Sequence, residues 1–146
     1  MQIATILPAA QRRLATIADG APLLEAARRL GSGVDLLAVC SGEGHLVGVL
    51  TKTDVVKQIG HCQGAGCMAL LLLAMTRDVL SCQCDDKLDV VWAQMRGRGL
   101  KNVPVVDAAG HPVGIVNARD MLQALLSAST NEEALMRDYV MGVGYR

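Results

Sequence analysis

Two short segments of the chain carry polar residues of matching type at matching spacing. Each has a glycine, then a hydroxyl or amide side chain, then an aspartate, three residues apart: Gly48, Thr51, Asp54 and Gly114, Asn117, Asp120. Where such a segment opens a helix, the polar side chain caps the helix and the acid favours its positive end. The same geometry suits a ligand, because free N–H groups at a helix start bind phosphate and a carboxylate accepts hydrogen bonds from a ribose diol. The spacing therefore predicts either two helix caps or two nucleotide-binding turns.

These segments belong to a longer internal repeat, which favours the binding interpretation. Residues 47–54 align with residues 113–120 at a constant offset of 66, and further upstream the offset becomes 65, so that Leu23 matches Leu88. We attribute the change to one residue inserted near 96–98. A single turn of this kind is usually only a cap. Its recurrence behind a predicted hairpin in both halves is what indicates a ligand.

The elements that position the turns follow the same order in both halves: strand, helix, hairpin and helix. We predict them at residues 14–17, 22–30, 34–40, 46–50 and 52–59, and again at 79–82, 87–95, 102–106, 112–116 and 118–126. The first helix has apolar residues at i, i+3, i+4 and i+7 from Leu23, and glycine-containing connections predict the hairpins. Outside the repeat we expect helices at 68–73 and 130–141, the latter with a capping box that starts at Thr130.

The composition excludes several classes of function. Of the 146 residues, 51% are hydrophobic and 2% are aromatic, and the net charge is zero. A chain without a basic face or stacking aromatic groups is a poor nucleic-acid partner. The most apolar run, residues 67–75, is under half of the roughly 20 residues that a membrane-spanning helix needs, and no secretory leader is visible. We therefore expect a cytoplasmic protein without membrane or nucleic-acid partners, whose five cysteines are reduced.

In the order and duplication of its motifs, the chain resembles a tandem pair of CBS (cystathionine β-synthase-type) repeats, as found in small stand-alone bacterial CBS-domain proteins. Residues 103–107 (VPVVD) resemble a strand of that family, and residues 75–79 (MTRDV) resemble the linker that opens many second repeats. The resemblance implies an α/β (α+β) fold, in which two β-α-β-β-α repeats form a pseudo-twofold Bateman module with a short extra C-terminal helix. We accordingly divide the chain into repeat 1 with its N-terminal segment, residues 1–66, and a linker helix, repeat 2 and C-terminal helix, residues 67–146.

The resemblance also implies what the turns bind. Family members are non-catalytic sensors in signal transduction, which hold AMP, ADP, ATP, S-adenosylmethionine or a nicotinamide dinucleotide (NAD) in clefts between the repeats and commonly dimerise. Asp54 and Asp120 match the ribose-binding acid, and Thr51 and Asn117 match its polar companion. The further candidate ligand-binding residues are Lys52, Thr53, Lys101, Asn102, Ile115, Ala118 and Arg119, with Ile17, Leu36 and Cys82 beside the adenine. We expect an adenosyl small molecule but no required cofactor, a homodimer, and a regulated protein that the sequence does not identify.

The two repeats depart from each other at positions that matter for charge. Repeat 1 has Ala38 where repeat 2 has Pro104, and it has Asp35-Leu36 where repeat 2 has Lys101-Asn102. A multiply phosphorylated ligand should therefore prefer a site that uses Lys101 and Arg119.

Two other functions stay open on the sequence. One is a structural homodimer whose clefts are empty or filled by its own side chains, and the other is a redox or metal sensor. The residues for such a sensor are Cys62, Cys67, Cys82, Cys84 and His61, although their spacing lacks the paired ligands of a zinc site. We assign no chemistry to the hairpin residues His45 and His111, and we interpret Arg12-Arg13 as a solvated face. Because no nucleophile or phosphate-loop motif is present, we expect no enzyme activity.

Overall fold

The computed structural model describes residues 1–61 and 70–128. It confirms the predicted order of the elements and moves most of their ends by only one or two residues. The helix predicted at 130–141 lies outside the described residues, as do the first two residues of the one predicted at 68–73. The described part of that second segment contains a 3₁₀ turn, Leu71–Leu73, in place of a longer helix.

An N-terminal segment precedes the first repeat. It folds as a 3₁₀ turn, Ile3–Ile6, followed by helix α1, Leu7–Arg13. Pro8 lies in the first turn of α1, where a missing N–H costs no helical hydrogen bond. Arg13 is the last residue of this helix, so its side chain projects from the point where the chain enters the first repeat.

The first repeat is a three-stranded sheet with two helices. It comprises β1 (Thr16–Ala18), α2 (Leu23–Gly31), β2 (Leu36–Cys40), β3 (Leu46–Thr51) and α3 (Lys52–His61). β1 pairs parallel to β2, and β2 pairs antiparallel to β3. On α2 the side chains of Leu23, Ala26 and Leu30 are buried, as the helical period of the apolar positions predicts.

The second repeat follows the same order with a shorter sheet. It comprises α4 (Leu88–Arg98), β4 (Asn102–Val106), β5 (Pro112–Asn117) and helix α5 (residues 118–128). The strand predicted at 79–82 is reduced to a parallel bridge between Cys82 and Val105. That bridge corresponds to the pairing of Ile17 with Val39 in the first repeat, so the topology is duplicated even where the strand is not.

Helix α4 contains the inserted residue that the change of offset predicts. It has eleven residues where α2 has nine. It ends at Arg98 and is capped by Gly99, whose φ of 64° is the left-handed C-cap conformation that glycine favours. The counterpart Gly33 also has a positive φ of 103°, so both helices lead into the following strand through a glycine.

The segment in front of each repeat packs against the other repeat. Ile3, Ile6 and Ala10 lie in one hydrophobic core with the buried residues of the second repeat. Leu71 and Met75, which precede the second repeat, lie instead in the core of the first. Each core is therefore completed by the segment that precedes the other repeat.

Two glycines in equivalent strands make this crosswise packing possible. A Cβ on Gly114 of β5 would lie 2.9 Å from the Cβ of Ala10, and a Cβ on Gly48 of β3 would lie 2.8 Å from the Sδ of Met75. Both distances are shorter than van der Waals contact. The glycine that opens each candidate ligand-binding turn is thus also the point where the preceding segment of the other repeat crosses the sheet.

A third, smaller cluster joins the two sheets. Leu36 and Ala38 of β2 pack with Ile115 of β5. The hairpin ends meet as well, because the backbone N–H of Leu46 donates to the carbonyl of Gly110 at 3.0 Å. Among the described residues, none of the helices combines the length and the apolar character needed to cross a bilayer.

Candidate functional site

A cleft of about 580 Å³, which we call cleft 1, opens between the two repeats. Its walls come from both: the start of α3 supplies Thr51, Lys52, Thr53 and Asp54, and the second repeat supplies Leu80, Lys101 and Asn102. Ligand pockets generally occupy roughly 300–1,000 Å³. The first predicted turn therefore faces a cavity of the size that a nucleoside needs.

Asp54 is held by the helix cap that the first turn predicts. The Thr51 backbone N–H and hydroxyl donate to Oδ2 of Asp54 at 3.0 and 3.1 Å, and the Asp54 N–H donates to Oγ1 of Thr51 at 3.4 Å. From the linker, the Thr76 hydroxyl donates to Oδ1 of Asp54 at 3.2 Å. The cap and the ligand interpretations are thus compatible, because the cap fixes a half-buried carboxylate at the cleft wall.

The remainder of cleft 1 combines apolar walls with two amides. The apolar surface comes from Leu36, Val49, Val79, Leu80 and Pro104. Within the second repeat, Nδ2 of Asn117 at the end of β5 donates to Oδ1 of Asn102 at the start of β4 at 2.9 Å, and both residues line this cleft. Apolar walls with a few placed polar groups are what a heteroaromatic base requires.

The charges in cleft 1 are balanced and largely paired. Counting the capped aspartate, three acids and three cations line it. Nζ of Lys52 lies 3.9 Å from Oδ1 of Asp35, and Nη2 of Arg98 lies 3.3 Å from Oδ2 of Asp78. Within residues 1–61 and 70–128, Lys101 makes no ion pair. Lys101 is therefore the cation of this cleft that is available to a ligand.

A smaller cleft of about 260 Å³, cleft 2, occupies the position that the repeat relates to cleft 1. Its residues Leu14, Ala15 and Ile115 are the counterparts of Val79, Leu80 and Val49 in cleft 1. Arg13 lines cleft 2, whereas Asp120 does not. The second predicted turn is thus separated from its own cleft.

Asp120 differs from Asp54 in its partner. Nε of Arg13 donates to Oδ2 of Asp120 at 2.6 Å, and Nη2 donates to Oδ1 at 3.2 Å. The hydrogen bond with Asp120 raises the pKa of Arg13, against a smaller opposing effect of burial. Oδ1 of Asn117 caps α5 by accepting from the Arg119 N–H at 2.9 Å. The reciprocal capping box predicted for the second turn is not formed, because its acid is engaged in an ion pair.

Several predicted site residues do not reach either cleft. Ile17 and Cys82 are buried in the hydrophobic cores of the two repeats and line neither cleft. Ala118 and Arg119 adjoin the second turn but line neither cleft. Lys101 lies in cleft 1 without Arg119, so the structure does not bring the two expected phosphate-binding residues together in one cavity.

Three polar side chains of the clefts escaped the sequence reasoning. Thr76 belongs to the Met-Thr linker motif, so a signal for it was present. Arg98 lies at the end of α4, where a cation is expected for the helix dipole alone. Arg13 is exposed, as the solvated-face interpretation predicts, but its side chain also pairs with an aspartate 107 residues away, which the sequence did not indicate.

The described cysteines, Cys40, Cys82 and Cys84, are free thiols. Burial raises the pKa of Cys82 to about 12 and also raises that of Cys40, so the reactive thiolate is scarce at neutral pH. Within the two described stretches, no group of three or more His, Cys, Asp or Glu side chains could hold a metal ion. The sensor candidates Cys62 and Cys67 lie outside them.

Two duplicated α/β repeats, joined through their sheets with two clefts between them, define a tandem-repeat α/β module. The family model of the CBS domain matches residues 6–61 and 71–127. The chain therefore belongs to the CBS-domain family and contains two tandem CBS domains.

Solved CBS domain pairs share this architecture. The CBS domain pair of protein MJ0100, in complex with 5′-methylthioadenosine and S-adenosyl-L-methionine, is similar with a TM-score of 0.72 and 25% identity, over 88% of this chain and 98% of that one. The CBS-domain protein ATU1752 from Agrobacterium tumefaciens has a TM-score of 0.73 and 26% identity, over 84% and 92% of the two chains.

The relatives among curated proteins include an uncharacterized protein that matches over most of its length and enzymes that match over a small part of theirs. An uncharacterized 17.7 kDa protein of Acidianus ambivalens is 28% identical over 98% of this chain and 82% of its own length. A homoserine O-acetyltransferase of Methanocorpusculum labreanum is 30% identical over 73% of this chain. The second match spans 21% of that enzyme, so the likeness concerns about a fifth of it.

Proposed function

We propose that this chain is a non-catalytic regulatory module that binds an adenosyl ligand in cleft 1. The observation that carries the proposal is the position of Asp54, a carboxylate fixed by a helix cap at the wall of a cavity that has an apolar surface and two amide side chains. The likeness to the MJ0100 domain pair, which was solved with 5′-methylthioadenosine and S-adenosyl-L-methionine, supports the ligand class.

In the proposed complex, each part of the ligand meets a group of matching chemistry. The ribose hydroxyls donate to the carboxylate of Asp54, and the Thr76 hydroxyl gives up its bond to that carboxylate. Adenine lies against Leu80 and Pro104, and the amide of Asn102 bonds its polar edge. No group in this arrangement attacks a bond or transfers a proton, so the chemistry is recognition alone.

The balance of charge in cleft 1 favours a ligand of small net charge. Lys52 and Arg98 already face Asp35 and Asp78, which leaves Lys101 to meet a phosphate. A triphosphate would bring several negative charges close to three carboxylates, with too few free cations to offset them. We therefore rank 5′-methylthioadenosine, S-adenosylmethionine and AMP above ADP, ATP and NAD.

Ligand binding in cleft 1 supplies a means of signalling. The ligand touches both repeats, so it binds best to the arrangement of the repeats that closes around it, and this difference in affinity is what a sensor transmits. We propose that the module acts as a homodimer, for which α3 and α5 offer exposed apolar side chains: Val56, Ile59, Leu122 and Leu126. Its free thiols fit the reducing cytoplasm, and a protein partner receives the signal.

The test is thermal unfolding of the purified chain with 5′-methylthioadenosine, S-adenosylmethionine, AMP, ATP and NAD, with native mass spectrometry in parallel. We expect an unfolding temperature that rises with the concentration of a low-charge adenosyl compound, and a smaller rise for Asp54→Ala at the same concentration. If all five compounds leave the wild type unchanged and none is retained in the mass spectrum, the proposal is wrong and a structural homodimer is the better interpretation.

A further inference from the structure

We propose that Arg13 closes cleft 2 from within, so that each chain takes one adenosyl ligand, in cleft 1, although it carries two ribose-type turns. The inference rests on the proposed function and specifies its stoichiometry. In this view Arg13 is an internal occupant of the second site, and its removal creates a second ligand-binding site.

The ion pair between Arg13 and Asp120 engages the whole carboxylate. Arg13 uses both oxygens of Asp120, at 2.6 and 3.2 Å. These are the atoms that would accept hydrogen bonds from a ribose diol. The side chain of Arg13 is 37% exposed and that of Asp120 is 20% exposed, so the pair lies at the surface with the carboxylate as its more buried partner. Because charge-assisted, two-bond pairs are stronger than bonds to a neutral hydroxyl, a ribose does not displace the guanidinium.

The equivalent acid in cleft 1, Asp54, has no charged partner among its hydrogen bonds within the described residues. There the partners of Asp54 are the neutral hydroxyls of Thr51 and Thr76 and one backbone N–H. A ribose hydroxyl can exchange with a neutral hydroxyl at little cost. The volumes agree with this difference, since cleft 2 measures about 260 Å³ and cleft 1 about 580 Å³. The smaller value falls below the roughly 300–1,000 Å³ that ligand pockets occupy.

The residue that the repeat matches to Arg13 is Asp78, at the same offset of 65 that relates Leu23 to Leu88. In cleft 1 this position therefore carries an acid, which cannot pair with Asp54 and instead faces Arg98. Because the equivalent positions carry an arginine in one case and an aspartate in the other, Asp120 is held in an ion pair while Asp54 stays accessible.

The experiment measures how many molecules of 5′-methylthioadenosine each chain binds, by isothermal titration calorimetry and native mass spectrometry. We expect one per wild-type chain and two per chain for Arg13→Ala and for Arg13→Gln, which keeps more of the side chain's packing. Arg12→Ala is the matched control, because Arg12 lines cleft 2 without bonding Asp120, and it should stay at one. The double variant Arg13→Ala/Asp120→Ala should return to one.

The possible outcomes separate this inference from the proposed function. Two ligands per wild-type chain, or one per chain in both folded Arg13 variants, would overturn the closure of cleft 2 while leaving the proposed function intact. A single ligand that is retained by Asp54→Ala but lost in Asp120→Ala would also overturn it. Absence of binding to the wild type and to every variant would overturn both.

Discussion

The imidazole rings of His45 and His111 stack on each other, with their centroids 4.9 Å apart and their planes 15° from parallel. They lie in equivalent hairpins of the two repeats, next to the backbone hydrogen bond from Leu46 to Gly110. The backbone N–H of His111 also donates to Oδ1 of Asp107 at 2.9 Å, and this bond holds the pKa of that carboxyl below its ordinary value. The sequence assigned these histidines no role, and the structure makes them the contact between the hairpin ends.

The stack should contribute measurably to stability. His45→Ala and His111→Ala should each lower the free energy of unfolding by roughly 0.5–1.5 kcal/mol, because either change removes the same ring contact. Urea denaturation of the wild type, the two single variants and the double variant completes a double-mutant cycle. The double variant should lose clearly less than the sum of the singles, and strict additivity would show that the rings do not stabilise each other.

The two ribose-type acids should respond differently to substitution. Asp54→Ala should weaken binding of 5′-methylthioadenosine by roughly 1–3 kcal/mol, because it removes the acceptor for the ribose hydroxyls. Asp120→Ala is the matched control and should leave the affinity unchanged, since Arg13 already occupies that carboxylate. Calorimetric titration measures both, and equal losses in the two variants would contradict the assignment of the ligand to cleft 1.

Lys101 should select for a phosphate. Lys101→Ala should reduce the affinity for AMP by about 0.5–1 kcal/mol, in line with an exposed ion pair, and leave 5′-methylthioadenosine unaffected because that ligand has no phosphate. Arg119→Ala is the control, since Arg119 lines neither cleft. Competition titrations with the two ligands decide the matter, and a loss with Arg119→Ala alone would move the phosphate to the second turn.

The crossing at Gly114 should tolerate no added methyl group. Gly114→Ala places a Cβ 2.9 Å from the Cβ of Ala10 and 3.0 Å from its carbonyl carbon, so the backbone of α1 must move, at roughly 1–3 kcal/mol. Gly97→Ala on α4 meets nothing within 4 Å and should instead add about 0.5–1 kcal/mol through helix propensity. Thermal unfolding of both variants tests the contrast, and comparable stability for the two would contradict the crosswise packing.

Cys82 should be inert to alkylation while the chain is folded. Its pKa of about 12 lies above the ordinary 9.0, so at pH 8 iodoacetamide should modify the less buried Cys84 first and Cys82 only after unfolding. The raised pKa also implies that this thiol's contribution to stability is complete below pH 9.0 and is lost as the pH rises toward 12. Peptide mass mapping follows the labelling, and rapid modification of Cys82 in folded protein would return it to the sensor candidates.

Local patterns in the sequence were sufficient for the elements and for the first turn. Helix α2 follows from its apolar period, which depends on neighbours within a few residues, and α4 follows from the alignment of the second half of the chain with the first. The cap at Thr51 and Asp54 follows from a spacing of three. The duplication then extends each local inference to the other half, whereas the association of the two repeats was implied by the resemblance to CBS-domain pairs.

The sequence did not predict the contacts between residues that are far apart in the chain. No local pattern of residue types indicates which two such residues will meet. The pairing of Arg13 with Asp120 joins the end of α1 to the start of α5, and the histidine stack joins two hairpins. The duplication suggested two ribose-type sites that differ in charge at Asp35 and Lys101. The structure adds a second difference in charge, at the matching positions Arg13 and Asp78, which line different clefts.

The crosswise packing of the segments before each repeat bears on how the chain is made. The first repeat lacks Leu71 and Met75 until synthesis has passed well beyond its own last helix, and the apolar face of Ala10 stays uncovered until Gly114 has been added. The first repeat can therefore complete its core once Met75 has been added, before the second repeat has been made, whereas the core of the second repeat needs Ile3, Ile6 and Ala10 from the N-terminal segment. Two fragments divided between the repeats should associate and complement each other in solution, because each fragment holds the missing piece of its companion's interior.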